Sequence, residues 1–239
     1  HDIDVLPNGN ILMIAWERKY ASDWQAMGRT SVNNSLNQMW STAILEIEPN
    51  LETGEAEIVW EWHLWDHLIQ DRGSNYDAFY GQISDHPELM DINCGNVGSG
   101  GGPGGQSNAD WMHFNAIDYN PYLDQIALSS RFQNEIYIID HSTTTEEAAT
   151  HSGGNSGMGG DFLYRWGNPQ NYGRGDSSYR ILLGQHGVNW IEEEYPGRGN
   201  LLIYNNQHSN NSSAVIEIIT PINQNGNYNI IDENPFGPY

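Results

Sequence analysis

Three histidines and one arginine in this sequence have positions and chemistry that suit a reactive site. His1, His113 and His186 each stand just before the first apolar run of a repeated block, and Arg131 closes an apolar run in the second block. Imidazole serves as nucleophile, general acid or donor to an oxyanion, and guanidinium presents a planar fork suited to a tetrahedral oxyanion. The set indicates a site for an anionic group. The simpler interpretation is three structural histidines and an arginine paired with a carboxylate.

Other chemistries have less support. Three histidines can hold zinc, but the long intervals between His1, His113 and His186 match no compact metal motif, and a neighbouring Arg131 disfavours a cation. We therefore expect no metal. A serine nucleophile is not indicated, because no Gly-x-Ser-x-Gly turn follows a strand and precedes a helix.

The immediate neighbours of these histidines offer substrate contacts. Asn115 and Gln185 are polar enough to orient a ring or donate to an oxygen, and Trp111 suits the wall of an aromatic pocket, although a tryptophan in a strand more often belongs to the core. His63 and His67 are spaced for one face of a helix and form a possible metal pair. They fall outside the repeated pattern, so we expect surface or loop positions for both.

The elements that position these residues are strands. Helical periodicity is nearly absent, apart from a short helix expected at 65–71 and a turn at 145–150, and short apolar runs alternate with Gly, Asn, Pro and Asp. The runs form three similar blocks, at about 1–68, 111–172 and 184–233. We interpret 69–110, which holds the glycine-rich run 98–105, as an insertion.

Blocks of up to four antiparallel strands are typical of β-propeller blades, so we predict an all-β propeller fold over 1–239, as one domain or part of one. The first strand of each blade lines the central channel, which would bring His1, His113 and His186 together. Three blades do not close a ring, since propellers generally need about four to eight. We therefore expect missing blades from a longer chain, a homo-oligomer that supplies them, or further strands in weakly patterned segments.

Composition limits the partners. The formal net charge of −22 excludes a generic nucleic-acid binder and argues against docking on an anionic membrane. No apolar run approaches the roughly 18 residues needed to span a bilayer. Few lysines and many Asn, Gly, Trp and Tyr suit a periplasmic or extracellular protein. No signal peptide is visible, so we expect a mature or truncated chain.

Several motifs around the candidate site match one known family. The most specific are Asp110–Asn115 and Asp124–Arg131, which carry a histidine and an arginine at the family's separation. Looser matches are His1–Asn10, Gly160–Pro169 and Gly184–His186. On these motifs the chain resembles the arylsulfotransferase (aryl-sulfate sulfotransferase) family of bacterial six-bladed β-propellers. The likeness runs through most of the chain, although family members are about twice as long.

The resemblance implies a ping-pong transfer of a sulfuryl group from an aryl sulfate to a phenol, independent of a nucleotide donor, metal or other cofactor. In that reaction His186 is the nucleophile and forms a sulfohistidine. Arg131 holds the sulfonate oxygens, and His113 and His1 donate hydrogen bonds to them or protonate the departing phenolate. Two alternatives stay open: a non-catalytic extracellular propeller used for binding or assembly, and a hydrolase of sulfate or phosphate esters.

Overall fold

The computed structural model describes residues 1–98, 108–209, 212–231 and 233–238, and most of its regular structure is β-strand. Sheet 1 is antiparallel, and its four strands follow chain order: β1 (Ile3–Val5), β2 (Ile11–Lys19), β3 (Met39–Pro49) and β4 (Ala56–His63). The turn before β2 contains Gly9 at a φ of 91°, a left-handed conformation that glycine adopts without strain. A short helix, α1 (Ala21–Ala26), connects β2 to β3.

The stretch predicted as an insertion contains a small sheet that sequence patterns did not reveal. Its strands are β5 (Leu68–Gln70), β6 (Phe79–Tyr80) and β7 (Met90–Asp91), and β6 and β7 both pair with β5 in parallel. The helix expected at 65–71 is wrong: Leu64–Asp66 forms one 3₁₀ turn, and β5 follows. Of the glycine-rich run 98–105, all but Gly98 lies outside the described residues.

Sheet 2 is also four-stranded and antiparallel. It contains β8 (Phe114–Asn120), β9 (Gln125–Ser130), β10 (Glu135–Asp140) and β11 (Tyr164–Trp166). The connection from β10 to β11 includes a second short helix, α2 (Thr145–Ala148), where the sequence predicted a turn. Thr144 caps this helix by accepting a hydrogen bond from the Glu147 backbone N–H. Two 3₁₀ turns, Pro169–Tyr172 and Ser177–Tyr179, follow β11.

Sheet 3 has three antiparallel strands, β12 (His186–Trp190), β13 (Leu201–Ser209) and β14 (Ser212–Ile218). Within the described part of the third block, no fourth strand follows β14. Instead the later segment packs on sheet 2, where Tyr228 lies 5.1 Å from the Tyr164 ring and donates to Gln125. The all-β prediction is confirmed. That these sheets are blades of a propeller stays a prediction.

The first strands of the three sheets lie side by side, with β8 between β1 and β12. Aspartate side chains join them. Asp2, just before β1, and Asp4 of β1 accept hydrogen bonds from the backbone N–H groups of Ile117 and Tyr119 in β8. Asp118 of β8 in turn accepts from the backbone N–H of Trp190 in β12. Because these bonds fix the strands beside one another, the residues that begin them are also held close together.

Two apolar cores support this arrangement. One fills the space between sheets 1 and 2 and includes Trp62, Trp111 and Phe162, and the other lies between sheets 2 and 3 and includes Tyr164 and Val188. Sheet 2 therefore contributes to both cores.

An ionic contact also links sheets 1 and 2. His141 Nδ1 lies 2.7 Å from Asp124 Oδ1, and its Nε2 lies 2.8 Å from Glu46 Oε2. Burial lowers the pKa of His141, but the hydrogen bonds to Asp124 and Glu46 outweigh burial and raise it above the ordinary value. The protonated ring satisfies both carboxylates at once.

We expect this contact to make stability depend on pH. Because the folded-state pKa of His141 is raised, its contribution is fully present below about pH 6.5, the ordinary histidine value, and is lost as pH rises through the raised pKa. His141→Gln should lower the free energy of unfolding by about 1.5–3 kcal/mol at pH 6, and by less at pH 9. Urea unfolding at both pH values measures this, with exposed His208→Gln as the control. Equal losses at the two pH values would contradict the prediction.

Candidate functional site

The structure brings the three predicted histidines together. One ring nitrogen from each of His1, His113 and His186 lies within 4.8 Å of one from each of the others. The rings of His1 and His113 meet edge to face, with their centroids 5.4 Å apart. The backbone nitrogen of His1 donates to the Phe114 carbonyl at 3.0 Å, so β1 and β8 are also joined at this end. We call these three residues the histidine cluster.

Asp110 fixes the orientation of His113. Its carboxylate accepts from the His113 backbone N–H at 2.9 Å and lies 2.6 Å from His113 Nδ1. An ionised carboxylate only accepts hydrogen bonds, so Nδ1 carries the proton and the lone pair of a neutral ring is on Nε2. His113 also has a φ of 49°, which is unusual for a residue with a side chain and is often found at functional positions.

His186 is half-buried at the start of β12, and its Nδ1 lies 3.1 Å from the Gly184 carbonyl oxygen. A carbonyl only accepts, so this contact favours the tautomer with the proton on Nδ1 and the lone pair on Nε2. The side-chain nitrogen of Asn206 in β13 donates to the same carbonyl and lies 2.6 Å from the same Nδ1. An amide nitrogen only donates, so this second contact favours the opposite tautomer, with the proton on Nε2. The ring is therefore positioned from two strands.

The electrostatic environment of His186 favours the neutral ring. Burial lowers its pKa below the ordinary value, and the positive charges of Arg131 and His113 lower it further, while the hydrogen bond to Gly184 opposes them. A neutral imidazole with its lone pair on Nε2 has the form required of a nucleophile.

Arg131 lies at the turn that follows β9, next to the cluster. Its backbone N–H donates to the His113 carbonyl at 3.2 Å, and its guanidinium is 5.5 Å from the Phe132 ring. Among the described residues, the arginine ion pairs with carboxylates are those of Arg165 and Arg198. The guanidinium of Arg131 is exposed and not engaged in such a pair, so the structure does not support the alternative of an arginine neutralised by an acid.

The three predicted substrate contacts are buried. Trp111 donates its indole N–H to the Cys94 carbonyl within the core, and Asn115 donates to the Gln185 carbonyl. Gln185 itself donates to the carbonyls of Ser130 and Glu135. The structure shows that these side chains hold the backbone next to His113 and His186. Direct contact with a substrate stays a prediction for all three.

Sequence reasoning missed two residues of this site. Asp110 stands three positions before His113 in the motif Asp110–Asn115, and this spacing indicates a hydrogen-bond partner for the ring. Asn206 gave no signal, because its approach to His186 depends on the pairing of β12 with β13. The three imidazoles offer nitrogens close enough to hold an ion, so the expectation of a metal-free cluster stays a prediction.

The other end of the same strands is acidic. A surface cavity of about 520 Å³ there is lined by residues that include Asp4, Asp118, Glu192 and Glu193. Burial raises the pKa of Asp118 to about 6, and the hydrogen bond from Trp190 opposes this rise. An anionic ligand is therefore favoured at the histidine cluster and disfavoured at the opposite end.

Comparison with known proteins gives a family match. The family model described as Arylsulfotransferase (ASST) matches residues 1–228, and so covers all four residues of the site. The comparison with curated proteins gives no significant match. In the described part of the chain, no helix has the length and apolar character needed to cross a membrane.

Proposed function

Because the chain belongs to the arylsulfotransferase family, we propose that it transfers a sulfuryl group from an aryl sulfate to a phenol through a covalent intermediate on His186. One observation carries the proposal: His186, oriented and with a lowered pKa, stands in a cluster with His1 and His113, beside Arg131, for which the described residues provide no carboxylate partner. Arg131 supplies positive charge for an anionic donor, and His186 supplies a nucleophile to attack it.

In the first half-reaction, Nε2 of His186 attacks the sulfur of the aryl sulfate. The N–S bond forms as the S–O bond to the aryl group breaks, and the electron pair leaves on the phenolate oxygen. A protonated His113 or His1 gives that oxygen a proton. The sulfated ring is cationic, so its Nδ1–H donates more strongly to the Gly184 carbonyl.

In the second half-reaction, an acceptor phenol gives its proton to His113 or His1 and its oxygen attacks the sulfur. The N–S bond breaks, and its electron pair returns to Nε2. Arg131 stabilises both transition states, because its guanidinium can donate two parallel hydrogen bonds to the sulfonate oxygens as charge spreads over them. Asp110 keeps the His113 ring oriented through both proton transfers.

A two-stage assay tests the proposal. The protein is mixed with p-nitrophenyl sulfate alone, and p-nitrophenol release is followed by absorbance. We expect a burst of about one equivalent per chain, because the enzyme stops as the sulfohistidine. Adding phenol should restart the release and produce phenyl sulfate, and mass spectrometry of the stopped protein should find one SO₃ group on His186.

Other outcomes separate the alternatives. Continuous release of p-nitrophenol and free sulfate without phenol would identify a hydrolase. No release and no modified histidine would contradict catalysis and favour a binding or assembly role. A burst with the SO₃ group on a residue other than His186 would contradict the assigned nucleophile.

We further propose that sheets 1 to 3 are successive blades of a propeller, and that the protein acts in the periplasm or outside the cell. Two observations support the first proposal: the three sheets follow one another along the chain, and their first strands lie side by side. Composition alone supports the second.

A further inference from the structure

A second group of potential ligands lies away from the histidine cluster, where sheet 1 meets the connection from β10 to β11. It consists of His67, His151 and Asp161, each of which offers one ligand atom within 4.8 Å of the other two. His67 is fully buried, contrary to the surface position expected from the sequence, and its ring stacks on Trp62 with an interplanar angle of 5°. His63 is not its partner, because His63 pairs with Glu17.

The hydrogen-bond partners of His67 require a cation between its ring and Asp161. Its Nε2 lies 2.8 Å from the Ala148 carbonyl, which only accepts, so Nε2 carries a proton. In a neutral ring the lone pair is then on Nδ1, which lies 2.7 Å from Asp161 Oδ1. Two lone pairs do not approach this closely without a cation between them. A second proton or a metal ion satisfies the contact.

His151 adds a third potential ligand atom to this contact. Its Nδ1 lies 2.8 Å from the same oxygen of Asp161, so two imidazoles converge on one carboxylate oxygen. Two protons, one on each Nδ1, satisfy both contacts if His67 is the cation, and a single metal ion satisfies them by accepting all three ligand atoms. The Ala148 carbonyl has the role of the outer partner that fixes the tautomer of a metal-bound histidine.

We propose that His67, His151 and Asp161 form a binding site for a divalent transition-metal ion, with zinc as the best match to two imidazoles and a carboxylate. Tetrahedral zinc with bonds of about 2.0–2.1 Å sets its ligand atoms about 3.3 Å apart. The ligand atoms need to separate by only about 0.5 Å from their present contacts.

The surroundings leave room for a fourth ligand. The His151 side chain is 52% exposed, and it borders a surface cavity of about 470 Å³ whose lining includes Trp65, Asp66 and Asp77. Water can complete the coordination from this side, and the two carboxylates favour the approach of a cation. Bound metal would tie the segment after β4 to the segment after α2, so it should stabilise the fold.

Zinc titration of the chelator-treated full chain tests the site. Calorimetry should show the binding of one Zn²⁺ ion. This binding should be lost in His151→Ala and in Asp161→Asn. It should be retained in His186→Ala and in the exposed-histidine control His208→Ala. Zn²⁺ at 100 times the dissociation constant should raise the melting temperature by about 5 °C or more in the wild type, and not in His151→Ala. Co²⁺ in place of zinc should give the visible absorption of a tetrahedral site.

The variants separate this site from the histidine cluster. Two bound ions, one lost in His151→Ala and the other in His186→Ala, would also support the proposal. No zinc binding, or binding that His186→Ala removes and His151→Ala leaves unchanged, would overturn it. Melting curves without metal check that His151→Ala is folded, and Asp161→Asn gives an independent second test of the same ligands.

Discussion

Replacing Glu135 with glutamine should lower the free energy of unfolding by about 3–5 kcal/mol, the cost of leaving one member of a buried ion pair without its partner. Glu135 in β10 and Arg165 in the neighbouring strand β11 are both fully buried and form an ion pair. Arg165 Nε lies 3.1 Å from Glu135 Oε1, and Nη2 lies 2.7 Å from Oε2, so the pair is bidentate.

Glutamine cannot replace this arrangement. The Glu135 carboxylate also accepts hydrogen bonds from the Tyr137 hydroxyl and the Asn171 amide. A glutamine side chain has an NH₂ group in place of one oxygen, so it cannot accept all of these hydrogen bonds. The Arg165 guanidinium keeps its contacts with the Leu89 carbonyl and with the Tyr172 ring at 4.4 Å. These do not neutralise it, so a full positive charge stays buried.

Urea unfolding of the single variant at pH 7 measures the loss. Glu217→Gln is the matched control, since Glu217 is exposed on β14 and its hydrogen bond to Asn200 is at the surface, and it should change stability by less than about 0.5 kcal/mol. The double variant Glu135→Met, Arg165→Met should recover much of the loss, because it removes both charges. A loss of unfolding free energy below about 1 kcal/mol in Glu135→Gln would contradict the predicted cost of breaking the buried ion pair.

Replacing His186 with alanine should reduce arylsulfotransfer by at least about 10⁴-fold, as expected when a covalent nucleophile is removed. The burst of p-nitrophenol should disappear as well, because no group is left to accept the sulfuryl group. His186 is half-buried at the start of β12, and its ring hydrogen bonds are with Gly184 and Asn206. We therefore expect the variant to fold.

The control for this experiment is His208→Ala, in which an exposed histidine later in sheet 3 is removed. It should keep the burst and the steady-state rate of the wild type. Binding of an aryl sulfate to His186→Ala should persist, since Arg131 is still present, and calorimetry measures it. A residual rate within tenfold of the wild type would exclude His186 as the nucleophile.

The sequence predicted the parts of the fold that depend on local pattern. The repeated apolar runs predicted β1–β4 and β8–β11, because short apolar runs bounded by Gly, Asn, Pro and Asp are typical of strands and turns. The equivalent positions of His1, His113 and His186 predicted their convergence, since equivalent residues of repeated sheets meet when the sheets stand side by side. The structure places them together.

Contacts between distant segments were not predictable in the same way. Strands β6 and β7 have two residues each, too few for any periodicity, and they exist because each pairs with β5. Asn206 reaches His186 only through strand pairing. His67 was misjudged because its partner Asp161 lies 94 positions away and is brought near by the connection from β10 to β11.

The aspartate bonds between the first strands give the row of sheets a direction. At each junction the earlier sheet supplies the carboxylate and the later sheet supplies the backbone N–H, from Asp4 to Tyr119 and from Asp118 to Trp190. Each junction therefore has two chemically different sides, a carboxylate on one sheet and a backbone N–H on the next. Part of the chain's excess negative charge therefore lies on side chains that join neighbouring sheets.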